Sequence, residues 1–90
     1  MKESYIERES TKHATSTGWL AYKFSSPARR GVPDRIYLKD GVVIFVEYKA
    51  PGKRPTKLQE ATFAKIRTKG LQVYVIDDIE RAKRVFDSYA

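Results

Sequence analysis

The 90-residue sequence has no cysteine and a single histidine, His13. The first absence removes disulfides, thiolate nucleophiles and cysteine-type zinc sites together. The second leaves no histidine set for a softer metal centre. Any metal bound here has to be a hard cation held by oxygen. No apolar run approaches the roughly 18 residues that span a bilayer. The N-terminal MKESYIERES lacks the apolar stretch of a secretory signal. There is no repeat and no low-complexity tract. What remains, 41% hydrophobic and 12% aromatic, suffices for one packed domain and is too short for two. The expectation is one cytoplasmic domain over residues 1–90 with no membrane partner.

Acidic residues are also in short supply, 11 against 18 Lys and Arg, for a net charge of +7. The excess is local. Residues 49–69 hold Lys49, Lys53, Arg54, Lys57, Lys65, Arg67 and Lys69 against Glu60 alone. Arg29 and Arg30 form a second small cluster. Localised positive charge in a small domain points to a polyanion, and nucleic acid fits best. With no zinc-finger spacing or arginine-rich helix, the charge speaks for phosphate contacts rather than sequence readout.

Along the chain, residues 3–16 are helix-compatible but present a poor apolar stripe, because Ser10 and His13 stand where leucine-like residues are expected. Gly18 ends that helix. Residues 19–24 (WLAYKF) read as a first strand and residues 25–31 (SSPARRG) as a loop. Strands over 34–39 and 42–49 flank Asp40-Gly41, a strong hairpin signal because both turn residues must take positive φ. A rigid basic connector, residues 51–55, leads to Thr56 as N-cap of a helix. Gln59 stands at capping-box spacing, and the helix runs to Lys69 before Gly70. Residues 72–76 (QVYVI) form a buried strand, and residues 79–89 a final amphipathic helix. The order is α-β-β-β-α-β-α, an α/β fold with a mixed sheet flanked by helices.

The hairpin carries the chemistry. A two-residue turn on Asp40-Gly41 sets Lys39 against Val42, and the same register sets Asp34 directly opposite Glu47. That pair falls in the non-hydrogen-bonded class, whose Cα atoms are about 4.5 Å apart with side chains on one face. Facing carboxylates destabilise a sheet unless a cation lies between them. Lys49 projects from the same face as Glu47. These three charges therefore form either a metal site or a solvent-open cluster in which Lys49 neutralises the acids. As a metal site, Asp34 and Glu47, helped by the main-chain carbonyl of Tyr48, suit Mg2+ or Mn2+. With Lys49 beside them, the parts suit phosphodiester hydrolysis.

At these residues the sequence resembles a known family. Gly31-Val32-Pro33-Asp34 followed by Glu47-Tyr48-Lys49 is similar to the PD-(D/E)XK nuclease signature. Lys49-Ala50-Pro51-Gly52-Lys53, with Leu58-Gln59 after it, resembles the VRR-NUC (virus-type replication-repair nuclease) branch in its short, stand-alone, phage-like form. The resemblance implies a restriction-endonuclease-like core over the whole chain. It also implies a metal-dependent, structure-selective DNA endonuclease in a bacterial or phage-infected cell, with a Holliday-junction resolvase acting as a homodimer as one form. Carried over by position, Asp34 and Glu47 would be metal ligands, Lys49 the catalytic lysine and Gln59 the helix glutamine near the site. Spacing alone reads Gln59 either as a capping-box residue or as the polar member of a core-facing stripe with Phe63 and Ile66. The family also uses an acid from the first helix, directly or through water. Glu7 fits the related archaeal-type resolvase pattern, and Glu3, one turn away, is the alternative.

Lys53, Arg54, Lys57, Arg29 and Arg30 are the expected phosphate contacts. No small-molecule cofactor is implied. A non-catalytic nucleic-acid-binding domain that keeps the nuclease fold is the second reading, and sequence-specific duplex cleavage the third. A four-way junction has two-fold symmetry, which a C2 dimer matches. Trp19, Tyr22 and Phe24 are candidates for its interface or for ordinary core.

Overall fold

The structure, a computed structural model, describes residues 1–89. Its elements are α1 (Glu3–Ser16), β1 (Leu20–Lys23), β2 (Arg35–Lys39), β3 (Val42–Tyr48), α2 (Lys57–Thr68), β4 (Gln72–Ile76) and α3 (Ile79–Asp87). The predicted order is the observed order. Asp40 and Gly41 both adopt positive φ, 48° and 81°. The hairpin therefore has the expected register, Lys39↔Val42 through Arg35↔Val46. β1, β2 and β3 form an antiparallel meander, and β4 joins β3 in parallel after the α2 crossover, giving the order β1-β2-β3-β4. Among the described residues no helix is long and apolar enough to cross a membrane.

Position within the sheet explains the sequence of each strand. β3 lies between β2 and β4 with helices on both faces, so its VVIFV run is apolar at successive positions rather than alternating. One face, with Tyr37, Ile44, Val46, Tyr48 and Ile76, packs with Ile6 and Ala14 of α1 and Ala82 and Phe86 of α3. The other, with Phe45 and Val73, packs under Phe63 and Ile66 of α2. α2 begins as predicted, Thr56 and Gln59 forming a reciprocal capping box.

The structure decides between the two readings of the aromatic run and corrects the bounds of two elements. Trp19 precedes β1 and is core, edge-on to Phe86 at 5.6 Å and Tyr89 at 5.5 Å, so it cannot serve as an interface residue. Phe24 leans on Phe45 at 5.4 Å, leaving Tyr22 with Leu20 as the exposed apolar pair on edge strand β1. The last helix ends at Asp87, two residues earlier than its periodicity suggests.

The weak stripe of α1 has a physical resolution. Ser10, which looked misplaced, is fully buried. It donates to the Tyr48 hydroxyl at 2.5 Å, which lies 2.7 Å from the Tyr37 hydroxyl, itself 2.8 Å from Thr11 Oγ1. A buried chain of hydroxyls replaces the leucine contacts, and each polar atom in it is satisfied. Burial raises the pKa of both tyrosines, which keeps them protonated as donors. His13 closes the helix end on Asp87 of α3 at 2.8 Å.

Gly31 explains how the 25–31 loop is fixed. It has φ +84°, and a Cβ built there would lie 3.0 Å from Thr62 Oγ1 and 3.1 Å from the Leu58 carbonyl oxygen. Loop and helix backbone thus meet at van der Waals distance. Gly31→Ala should cost about 2 kcal/mol from left-handed strain and displacement of α2. A urea midpoint unchanged from the parent would contradict that contact.

Candidate active site

Asp34 and Lys49 lie one residue outside β2 and β3, and the reason is local. The Asp34 carboxylate turns across the strand end and accepts the Tyr48 N–H at 2.8 Å. On the other side, the Lys49 N–H donates to the Ile76 carbonyl at 2.9 Å. Both ends of the ExK segment are thereby anchored, one to β2 and one to β4.

Glu47 is the centre of the cluster, with its side chain 4% exposed. Its Oε2 accepts from Gln59 Nε2 at 3.0 Å and lies 3.3 Å from Lys49 Nζ. Gln59 uses both ends of its amide, since Oε1 accepts the Thr56 N–H at 2.9 Å while Nε2 reaches Glu47. The cap and the site are therefore one device. The capping box fixes the amide's orientation, and that orientation presents a donor to the carboxylate.

Burial, followed by the like charge of Asp34, pushes the Glu47 carboxyl up to about 7. Lys49 opposes the shift without cancelling it. Asp34 is raised as well, by burial first, against the Tyr48 N–H, which lowers it. The remaining Glu47 oxygen, Oε1, is buried with no hydrogen-bond partner among the described residues. An orphaned carboxylate oxygen in a pair of destabilised acids is a donor set suited to a hard divalent cation.

The first-helix acids stand apart from this group. Glu7 is held by Arg35 Nε at 2.7 Å, with Lys23 Nζ at 3.8 Å. Glu3 is exposed. Their charges reach the site, Glu7 raising Asp34 and Glu3 raising Glu47. Among the described residues, however, no three acids or histidines converge as a metal cluster. The structure thus brings Asp34, Glu47, Lys49 and Gln59 together and leaves Glu7 and Glu3 outside direct contact.

No family model matches the sequence. Over 78 residues, 86% of this chain and 84% of the relative, it is 46% identical to "Putative nuclease p44" of Acyrthosiphon pisum secondary endosymbiont phage 1. The fold superposes on a solved structure described as a VRR_NUC domain with a TM-score of 0.89 at 26% identity, covering 100% of this chain and 99% of that one. The chain belongs to the VRR-NUC nuclease family.

The basic residues of this VRR-NUC domain flank the carboxylate motif in sequence. Arg29, Arg30, Lys53, Arg54 and Lys57 are all exposed, and none is in an ion pair among the described residues. The Arg30 carbonyl accepts from Thr62 Oγ1 at 3.4 Å, tying the arginine loop to the helix that carries Lys57 and Gln59. Sequence reasoning missed Arg35 and the Ser10–Tyr48–Tyr37–Thr11 chain. The available signal for the second was a serine at position i+4 between Ile6 and Ala14, a buried stripe position that demands a polar partner.

Proposed function

We propose that this VRR-NUC domain is a Mg2+- or Mn2+-dependent endodeoxyribonuclease that hydrolyses phosphodiester bonds in branched DNA, four-way junctions among them, as a homodimer. The observation that carries the reading is the buried Glu47 carboxylate, facing a second acid, with one oxygen fixed by Gln59 and Lys49 and the other unpartnered. Asp34, Glu47 Oε1 and the Tyr48 carbonyl would hold the ion, with Glu7, or Glu3 in its place, assisting through water. Bound there, the ion supplies charge neutralisation at the scissile phosphate and a lowered pKa for an attacking water.

The chain's own residues supply the rest. Gln59 and Lys49 keep Glu47 in one rotamer, so the carboxylate does not reorganise as substrate arrives. The Lys49 side chain is 16% exposed, and its ammonium would offset the negative charge that builds on the phosphate. Arg29, Arg30, Lys53, Arg54 and Lys57 bind flanking phosphates without reading bases, in keeping with selection by shape. The two-fold symmetry of a junction matches a C2 pair of domains, and exposed Leu20 and Tyr22 on edge strand β1 offer an apolar surface for such a pair.

The test uses four-way junction, flap and linear duplex DNA with Mg2+, Mn2+ or EDTA. Cleavage is expected with either metal and not in EDTA. Lys49→Ala should lower the rate about 10²–10³-fold while retaining binding. Binding without cleavage of any substrate would instead favour a non-catalytic domain. Equal cleavage of linear duplex would remove the structure-selective part.

A further inference from the structure

A second basic surface lies on the sheet face opposite α2. A groove of about 430 Å³ between α1 and the β1–β2 edge is lined by Arg8, Lys12, Lys23 and Arg35, with Glu7 as its acid. Glu7 is already taken by Arg35 and Lys23, so the groove keeps an excess of positive charge. Arg35, 18% exposed, commits only its Nε to Glu7, and no other hydrogen bond among the described residues engages its guanidinium. Lys23 and Lys12 are 76% and 71% exposed. Arg8 and Lys12 share Glu9 at 3.5 and 3.6 Å, surface pairs that yield easily to a stronger anion.

The groove adjoins the carboxylates through the backbone. Lys23 pairs with Arg35 across the β1–β2 ladder, Arg35 follows Asp34, and the Phe24 N–H donates to the Asp34 carbonyl at 2.9 Å. Strand alternation sends Lys23 and Arg35 to the α1 face, and Asp34 and Glu47 to the α2 face. Two basic surfaces thus bracket one end of the sheet, the Lys53–Lys57 segment on one side and this groove on the other.

We propose that the groove is a second backbone-phosphate subsite, in which Arg35 and Lys23 hold a phosphate flanking the scissile one while Arg8 and Lys12 draw the strand in. The substrate strand then crosses the carboxylate end of the sheet from one basic surface to the other. This rests on the nuclease reading and adds the path of the strand to it.

The experiment measures affinity for a fluorescein-labelled four-way junction in EDTA as salt is raised. Lys12→Ala/Lys23→Ala should weaken binding and lower the slope of log affinity against log salt by about 1, since each lost phosphate contact removes about 0.9 and Arg35 still holds the phosphate it shares with Lys23. Lys65→Ala/Lys69→Ala, at the far end of α2, removes the same charge and should leave the slope unchanged. Equal slopes for the two double variants overturn the subsite. Inorganic phosphate binding that Lys12→Ala/Lys23→Ala abolishes while junction affinity and slope stay at the parent's values assigns the groove to free phosphate and also overturns it. Metal-dependent cleavage by the parent protein tests the nuclease reading separately, so the two failures are distinguishable.

Discussion

Glu47→Gln should stabilise the metal-free protein at pH 8 and at the same time abolish cleavage. The carboxyl ionises near pH 4.5 in the unfolded chain and near 7 in the folded one. The folded state therefore holds the extra proton between those values. Its stabilising contribution is complete below pH 4.5, falls as pH rises toward 7, and is absent above. At about 1.4 kcal/mol per pH unit, the parent should lose about 3 kcal/mol across that window. The variant should lose that much less, because an amide of the same shape has no proton to give up.

Urea denaturation in EDTA at pH 4.5 and pH 8 measures both gaps. Equal gaps in parent and variant would mean that Glu47 is not held in an unfavourable ionised state. Added Mg2+ or Mn2+ should recover the parent's stability at pH 8 by mass action and leave the variant unmoved. Cleavage should fall beyond the about 10³-fold that loss of one electrostatic donor costs. Stability gained where activity is lost is the expected signature of a site kept under strain for its chemistry.

Much of this site was legible because it depends on counting. Two turn residues with positive φ fix the hairpin register, and the register alone sets Asp34 across from Glu47 with Lys49 on the same face. Gln59 was half legible. Capping-box spacing and the helical stripe each gave it a different role, and the structure shows one amide performing both. The arrangement around α1 was not legible, because it depends on tertiary partners that no period encodes. Ser10 is buried only because two tyrosines from β2 and β3 bring their hydroxyls under the helix. Glu7 meets Arg35 only because α1 crosses the sheet at that point, and residue types four apart on a helix cannot reveal which strand lies beneath. The role of the aromatic run at residues 19–24 stayed open between core and interface for a related reason. Its first member turns into the core against α3, while Leu20 and Tyr22 remain on an uncovered edge.

Ser10→Leu tests that account of α1, since it installs the residue that a helical stripe would favour. If α1 docked through apolar contact, leucine should stabilise it. The fully buried serine instead has no room beside it and holds the Tyr48 hydroxyl at 2.5 Å. Leucine should force the helix outward, costing about 1–3 kcal/mol for overpacking, and weaken a buried hydroxyl chain, costing about 1–3 kcal/mol more. A loss of about 2–6 kcal/mol in all is a large part of the total stability expected for a domain of this size. Ser10→Ala, which removes one hydrogen bond and leaves Tyr48 bonded to Tyr37, should cost only about 1 kcal/mol. The ordering alanine above leucine, read from urea midpoints, is the decisive result, and leucine above the parent would show that the hydroxyl chain does not hold the helix. The same displacement moves Glu7 off Arg35 and opens the basic groove. A partly folded leucine variant should therefore lose the groove's share of the salt-dependent junction binding before it loses the Glu47 cluster, whose anchors are on β2, β4 and α2 rather than on α1.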